Sequence, residues 1–154
     1  MIEYVQAQAG SDYEAAGRLF REYSEWLGID LGFQRFEEEL ECLRHMYALP
    51  EGGIILAKED GHFIACAGVR KIDTESAELK RMYIQPSHRG LGIGKQILQK
   101  AMQLAKDCGY IKMKLDTLNT MEPAMELYKS AGFVEIPAYY HNPHSTAVFF
   151  EKTL

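Results

Sequence analysis

Three glycines at alternate positions, flanked by two cations, form the most chemically pointed stretch of this chain: Arg89 to Lys95 reads R-G-L-G-I-G-K. A strand-like run ends shortly before it, and a helix-like run starts at Gly94. The first turn of a helix leaves N–H groups without internal acceptors, and its dipole favours negative charge. Glycines let an anion approach those groups closely. The chemistry indicated is capture of a phosphate group, with a pyrophosphate as the larger candidate. A glycine-rich turn without a ligand is the competing reading. It is the weaker one, because each glycine inside a helix start lowers stability by about 1 kcal/mol.

The familiar nucleotide motifs do not fit. The dinucleotide fingerprint G-x-G-x-x-G is replaced by G-x-G-x-G. A P-loop counted back from Gly94 puts Arg89 at its first glycine, and Gln96 stands where Ser or Thr would hold magnesium. His141 and His144 have H-x-x-H spacing, but they lack carboxylate neighbours and Pro143 lies between them. No metal site is expected there.

The elements that must position the loop can be read from periodicity. Residues 2–7 suit a strand. Ser11 and Glu14 resemble a capping box, and Ala15, Ala16, Leu19, Phe20, Tyr23, Trp26 and Leu27 follow at helical spacing. Trp26 is expected to pack in the core. A second helix is predicted to run to about Ala48, with Phe33, Phe36, Leu40, Leu43 and Tyr47 on one face. Strands follow at 53–58, 62–70 and 77–84, the first two joined by Glu59-Asp60-Gly61. Then come a helix from Gly94 to Gly109, a strand at 111–117, a helix over 121–131, and strands at 133–136 and 146–152. The order β-α-α-β-β-β-α-β-α-β-β predicts a mixed α/β sheet with a β-loop-α-β unit at its centre.

The 154 residues suit one compact domain spanning 1–154. The N-terminus shows no secretory signal, and no run is long and apolar enough to span a bilayer. Cys42, Cys66 and Cys108 form no motif and are read as small buried hydrophobes in a reducing, cytoplasmic setting. A net charge of −5 argues against sequence-independent nucleic-acid binding. Yet Arg70 to Lys114 holds ten Lys/Arg against four Asp/Glu. That basic middle suggests an anionic ligand at one place; a solvated helix face is the plainer alternative.

R-G-L-G-I-G resembles the R/Q-x-x-G-x-G/A signature of the GNAT acetyltransferase superfamily, with Arg89, Gly92 and Gly94 at the defining positions. E-L-K-R-M-Y-I before it and E-L-Y-K-S-A-G-F after it resemble the family's neighbouring segments. L-G-I-D-L-G-F-Q and Y-Y-H-N-P are similar to a group of small bacterial members. The resemblance implies a GNAT fold: a twisted, mostly antiparallel sheet of six or seven strands with helices on both faces. It implies acetyl-CoA as donor, with Arg89, Gly90, Leu91, Gly92, Ile93, Gly94 and Lys95 around the pyrophosphate. Met82, Tyr83 and Ile84 would offer backbone groups to the pantetheine arm, which needs a splay between this strand and Lys114–Thr117. Asn119 and Tyr128 would lie near the thiol.

Acetyl transfer to an amine needs a base, donors for the carbonyl oxygen and help for the leaving thiolate. By the same resemblance Tyr128, in L-Y-x-x-x-G-F, is the candidate acid; it also sits on a packing stripe with Ala124, Leu127 and Ala131. Glu78 is the candidate base, directly or through water; a surface glutamate paired with Lys80 is the alternative. The backbone N–H of Met82 or Tyr83 could polarise the carbonyl. Phe33, Gln34, Tyr139, Tyr140 and His141 are candidates for the acceptor wall. The acceptor would be a small-molecule or peptide amine, and the acidic remainder of the chain favours a cationic one. A homodimer is common in the superfamily. A non-catalytic acyl-CoA-binding regulatory module and a nucleotide-phosphate binder of another class are the competing functions.

Overall fold

The structure is a computed structural model that describes residues 1–154, apart from the side chain of Phe33. Its elements are β1 (Ile2–Gln6), α1 (Gly10–Leu27), a 3-10 turn (Gly32–Gln34), α2 (Phe36–Glu41), α3 (Leu43–Met46), β2 (Gly53–Glu59), β3 (His62–Lys71) and β4 (Ser76–Ile84). A second 3-10 turn (Pro86–His88) leads to α4 (Ile93–Asp107), β5 (Lys112–Leu118), α5 (Glu122–Ser130), β6 (Val134–Ile136) and β7 (Ala147–Thr153). Seven strands form one sheet in the order β1-β2-β3-β4-β5-β7-β6. Only β4 and β5 pair in parallel. The mixed, mostly antiparallel sheet of the resemblance is therefore present. Among the described residues no helix is long and apolar enough to cross a membrane.

Alternation along β2 explains why its sequence is apolar throughout. Ile54 and Leu56 join one core, with Leu19, Phe20, Phe36, Leu43 and Tyr47 of the first helices. Ile55 and Ala57 join the other, with Ile97, Leu98 and Ala101 of α4. A strand covered on both faces has no solvent side to leave polar. Full burial of side chains such as Phe20 and Leu98 contributes about 1.5–3 kcal/mol each. The hairpin between β2 and β3 turns at Asp60 (φ 50) and Gly61 (φ 80), the two positive angles a tight two-residue turn requires.

Several local expectations are corrected. The α1 cap lies earlier than the Ser11–Glu14 pair: the helix starts at Gly10, and the Asp12 carboxylate accepts from the N–H groups of Gln8 and Ala9 at 3.0 and 3.1 Å. The second helix is broken, because Arg35 is left-handed (φ 58) and Cys42 leaves helical geometry (φ −120, ψ 20). The break lets Glu39 turn into the core, where it accepts from Arg81 at 2.8 and 3.1 Å and from the Tyr47 hydroxyl at 3.0 Å. Trp26 is exposed rather than core, its ring lying at the edge of α1 with its centroid 6.0 Å from that of Tyr83 on β4. Its face is covered by the Arg89 guanidinium, 4.5 Å from the ring centroid. Of the cysteines only Cys66 is fully buried, and Cys42 is exposed.

β4 carries the irregularity that matters most. Between the Gly68↔Lys80 and Cys66↔Tyr83 pairs, β3 advances two residues and β4 three. The extra residue makes a bulge, and Arg81 takes φ 57 within it. A left-handed arginine costs on the order of 1–3 kcal/mol. The buried Glu39 pair, with the guanidinium 5.1 Å from the Phe36 ring centroid, holds it there.

Candidate active site

The site begins where the sheet opens. β4 and β5 pair only over Ser76–Glu78 and Lys112–Lys114. From Leu79 onward β4 leaves its neighbour, and β5 continues along β7 instead. The cleft between them is lined by Leu79, Lys80 and Arg81 on one side and Asp116, Thr117 and Leu118 on the other. Tyr23, Leu27, Ile29, Leu31, Gln34, Met121, Asn142 and His144 complete it. The bulge at Arg81 lies three residues past Glu78, the last residue of β4 paired with β5, and bends β4 within the opening.

At the open end lies the glycine loop. Gly90 and Gly92 have φ of 81 and 79, and nothing stands within 4 Å of where their Cβ atoms would be. The first helical hydrogen bond of α4 runs from the Gln96 N–H to the Gly92 carbonyl at 3.3 Å. The N–H groups of Ile93, Gly94 and Lys95 thus have no intrahelical acceptor. Gly94 is held in place: an added Cβ would sit 3.3 Å from Leu127 Cδ2 and 3.4 Å from Ile84 Cδ1. The Arg89 side chain points back, its Nε donating to the Ile84 carbonyl at 2.9 Å. It therefore pins the loop to β4 and α1, and Ile84 already has its carbonyl engaged. Lys95 stands on the first turn beside Gly94, and Leu91 is exposed. Met82 is half-buried against the α4-side core, and Tyr83 is buried against α1. Asn119, exposed at the end of β5, donates its N–H to Thr146 at 2.8 Å.

Tyr128 is buried on α5, its ring in contact with Phe133 and Phe150 at centroid distances of 5.9 and 6.3 Å. Burial pushes its hydroxyl well above the usual phenol value, and Tyr23 and Asp116 add to the effect. Both of those groups line the cleft. Glu78 is not a surface residue: its side chain is 4% exposed. It accepts from Arg70 Nε at 3.0 Å and from the Tyr139 hydroxyl at 2.6 Å, with Lys80 Nζ at 4.0 Å. Tyr139 is held protonated by burial first, then by the Glu78 charge.

A directed chain of hydrogen bonds crosses the opening. Lys80 Nζ donates to Gln34 Oε1 at 3.3 Å, and Gln34 Nε2 donates to the Tyr140 hydroxyl at 2.8 Å. Tyr140 donates to Asp116 Oδ2 at 2.5 Å, and Asn142 Nδ2 reaches the same oxygen at 3.2 Å. Burial, then the Asp116 charge, raises the Tyr140 hydroxyl above its ordinary value. Burial also lowers the Lys80 ammonium, although Glu78 acts the other way. Gln34 and Lys80 line a second cleft too, with Arg35, Arg70, Lys71, Ile72, Glu78, Tyr139 and Tyr140.

Gln34, Tyr139 and Tyr140 thus meet at the opening with Glu78. His141 is exposed and lines neither cleft; Asn142 and His144 take that place. The Phe33 side chain lies outside the described residues. Sequence reasoning missed Lys80, Arg81, Asp116 and Asn142 as cleft residues. One signal was legible for Asp116: it is the acid on a strand face otherwise carrying Lys112 and Lys114.

A sequence profile described as the acetyltransferase (GNAT) family matches residues 18–133. An uncharacterized N-acetyltransferase of Schizosaccharomyces pombe is 37% identical over 133 residues, covering 85% of this chain and 82% of that protein. Similarity at the sequence level is therefore not confined to bacterial proteins. A GNAT acetyltransferase structure from Staphylococcus aureus matches with a TM-score of 0.82 at 22% identity, covering 99% of both chains. Another, from Elizabethkingia anophelis and solved with acetyl-CoA bound, matches at 0.70 and 21% identity, covering 99% of this chain and 98% of that one.

Proposed function

The chain belongs to the GNAT acetyltransferase family, and from that premise we propose that it moves an acetyl group from acetyl-CoA to a primary amine by direct attack within a ternary complex. The observation that carries the reading is the parting of β4 and β5 after Glu78 and Lys114. It leaves a strand edge free, ends in a glycine loop and encloses a polar cleft. The pyrophosphate would rest on the amides between Gly90 and Lys95. The pantetheine would run along Met82–Ile84 as an added strand, with its thiol end toward Asn119 and Tyr128.

Tyr128 would donate a hydrogen bond to the departing sulfur. A phenol whose pKa lies above its usual value of about 10 cannot easily give its proton outright to a thiolate of pKa about 8.5. The hydroxyl therefore stabilises the developing charge, and solvent completes the protonation. The backbone N–H of Met82 or Tyr83, beside the bulge, would polarise the carbonyl oxygen. Glu78, acting through a water, would take the proton of the amine; Arg70 and Tyr139 fix the orientation of its carboxylate.

Thiol release from acetyl-CoA with an amine panel tests this. Intersecting initial-velocity patterns are expected. Parallel patterns would mean an acetyl-enzyme, and binding of CoA without release by any amine would remove the activity.

A further inference from the structure

The two clefts that meet at Lys80 and Gln34 carry opposite charge on facing walls. On the β5 side stands Asp116, its Oδ2 accepting from Tyr140 and Asn142. On the β3–β4 side stand Lys80, Arg70 and Lys71, with Arg35 at the rim. The carboxylate on that wall, Glu78, is already taken by Arg70 and Tyr139. Arg81 is neutralised by Glu39. Lys71 and Arg35 reach Glu51 and Glu38 only at exposed positions.

Lys80 is the decisive group. Its side chain is 4% exposed, yet its contacts are long: 3.3 Å to a neutral amide oxygen and 4.0 Å to a carboxylate that two other donors share. A buried ammonium with so little compensation is a site that an incoming anion would complete.

We propose that the acceptor is a small zwitterion of the free amino-acid class, an amine carrying its own carboxylate, bound with the amine between Asp116 and the water that leads to Glu78, and the carboxylate toward Lys80, Arg70 and Lys71. This rests on the acetyl-transfer reading and names its acceptor. It narrows the expectation drawn from overall acidity. A polyamine or an aminoglycoside would set a second cation against Lys80 and Arg70, where like charge opposes it. Tyr139, Ile72 and Leu31 offer apolar surface for a side chain.

The step balances without any further reactant. The ammonium first gives a proton to a carboxylate or water in the cleft. Its lone pair attacks the thioester carbon, the C–N bond forms and the C–S bond breaks. The second proton leaves the nitrogen, and sulfur departs to become the thiol of CoA. The acceptor carboxylate is unchanged. The product has lost its positive charge, and with it the attraction to Asp116, which favours release.

The test sets the proteinogenic amino acids against their own amides, with spermidine and kanamycin as polycations, and reads thiol release from acetyl-CoA. For the preferred side chain, kcat/KM for the acid should exceed that for the amide by roughly tenfold or more, the worth of a charge-assisted contact. Lys71→Gln should raise KM for the acid severalfold more than for the amide. Raised salt should do the same. Amides used as well as acids, or polycations preferred, would overturn the carboxylate subsite and leave acetyl transfer standing. CoA binding with no thiol release from any of these amines, nor from a panel of peptide amines, would overturn both.

Discussion

Glu78 and Lys114 face each other at the last paired position of β4 and β5, and the cleft of Lys80, Arg81 and Asp116 opens beyond that pair. Ahead of it the sheet is continuous. Past it the strands diverge around Lys80, Arg81 and Asp116, and β4 runs on to the loop at the head of α4. The proposed base therefore sits at the fork, where one carboxylate can face the acceptor while its strand still belongs to a rigid sheet.

Removing the buried arginine should be severe. Arg81→Met leaves Glu39 without its cation at 2% side-chain exposure, with the Tyr47 hydroxyl as the remaining donor, and is expected to cost about 3–5 kcal/mol. Combining it with Glu39→Leu should recover much of that loss. Urea unfolding of the two single variants and the double variant checks the coupling; additive losses would contradict it.

The same pair sets an acid limit. Burial pushes the Glu39 carboxyl up, but the hydrogen bond and charge of Arg81 outweigh it and hold the pKa below its usual range. Its stabilising contribution is fully present above the unfolded value of about 4.3. It is lost as pH falls through the lower folded value. Thermal melts between neutral and strongly acid pH should show this loss, and Glu39→Gln should flatten that limb.

Glycine 92 is expected to matter twice. Gly92→Ala forces an L side chain to φ 79, at a cost of about 1–2 kcal/mol. It also crowds the surface assigned to the pyrophosphate. Melting should fall by several degrees, and calorimetric titration should show CoA affinity reduced by more than the stability loss explains. Unchanged affinity would argue against the loop.

Tyr128→Phe keeps the ring packing against Phe133 and Phe150 and deletes only the hydroxyl. If that group steadies the leaving sulfur, kcat should fall by roughly 10²-fold while KM for acetyl-CoA moves little. A decrease of less than about twofold would leave Tyr128 as a packing residue.

Glu78→Gln should lower kcat by at least about 10²-fold. Tyr139→Phe, which frees one oxygen of the same carboxylate, should lower kcat by less while the fold stays intact. Equal kcat for wild type and Glu78→Gln would take the base away from Glu78.

What was legible in the sequence is what local periodicity encodes. The alternation in β2 and β3, the stripe of α4 and the left-handed glycines at Gly61, Gly109 and Gly132 are repeated within a few residues. The glycine loop was legible as a turn between a strand and a helix, because its glycines recur at alternate positions and Gly90 and Gly92 take positive φ. The Arg81–Glu39 pair was not, since its partners lie 42 residues apart and a buried glutamate looks like a surface one in a helical pattern. Gln34 and Tyr140 are 106 residues apart, and only the fold brings them together. Trp26 lies on the helical stripe and still touches Tyr83 of β4, but periodicity does not say which members of a stripe keep one face open to solvent.

The central claim is that coenzyme A lies in the fork of β4 and β5. A crystal structure with acetyl-CoA tests it most directly. The diphosphate should contact the N–H groups between Gly90 and Lys95, and the pantetheine should follow Met82–Ile84 with the thioester in the cleft of Lys80 and Asp116. A coenzyme found on any other surface, with that fork unchanged and vacant, would contradict the account.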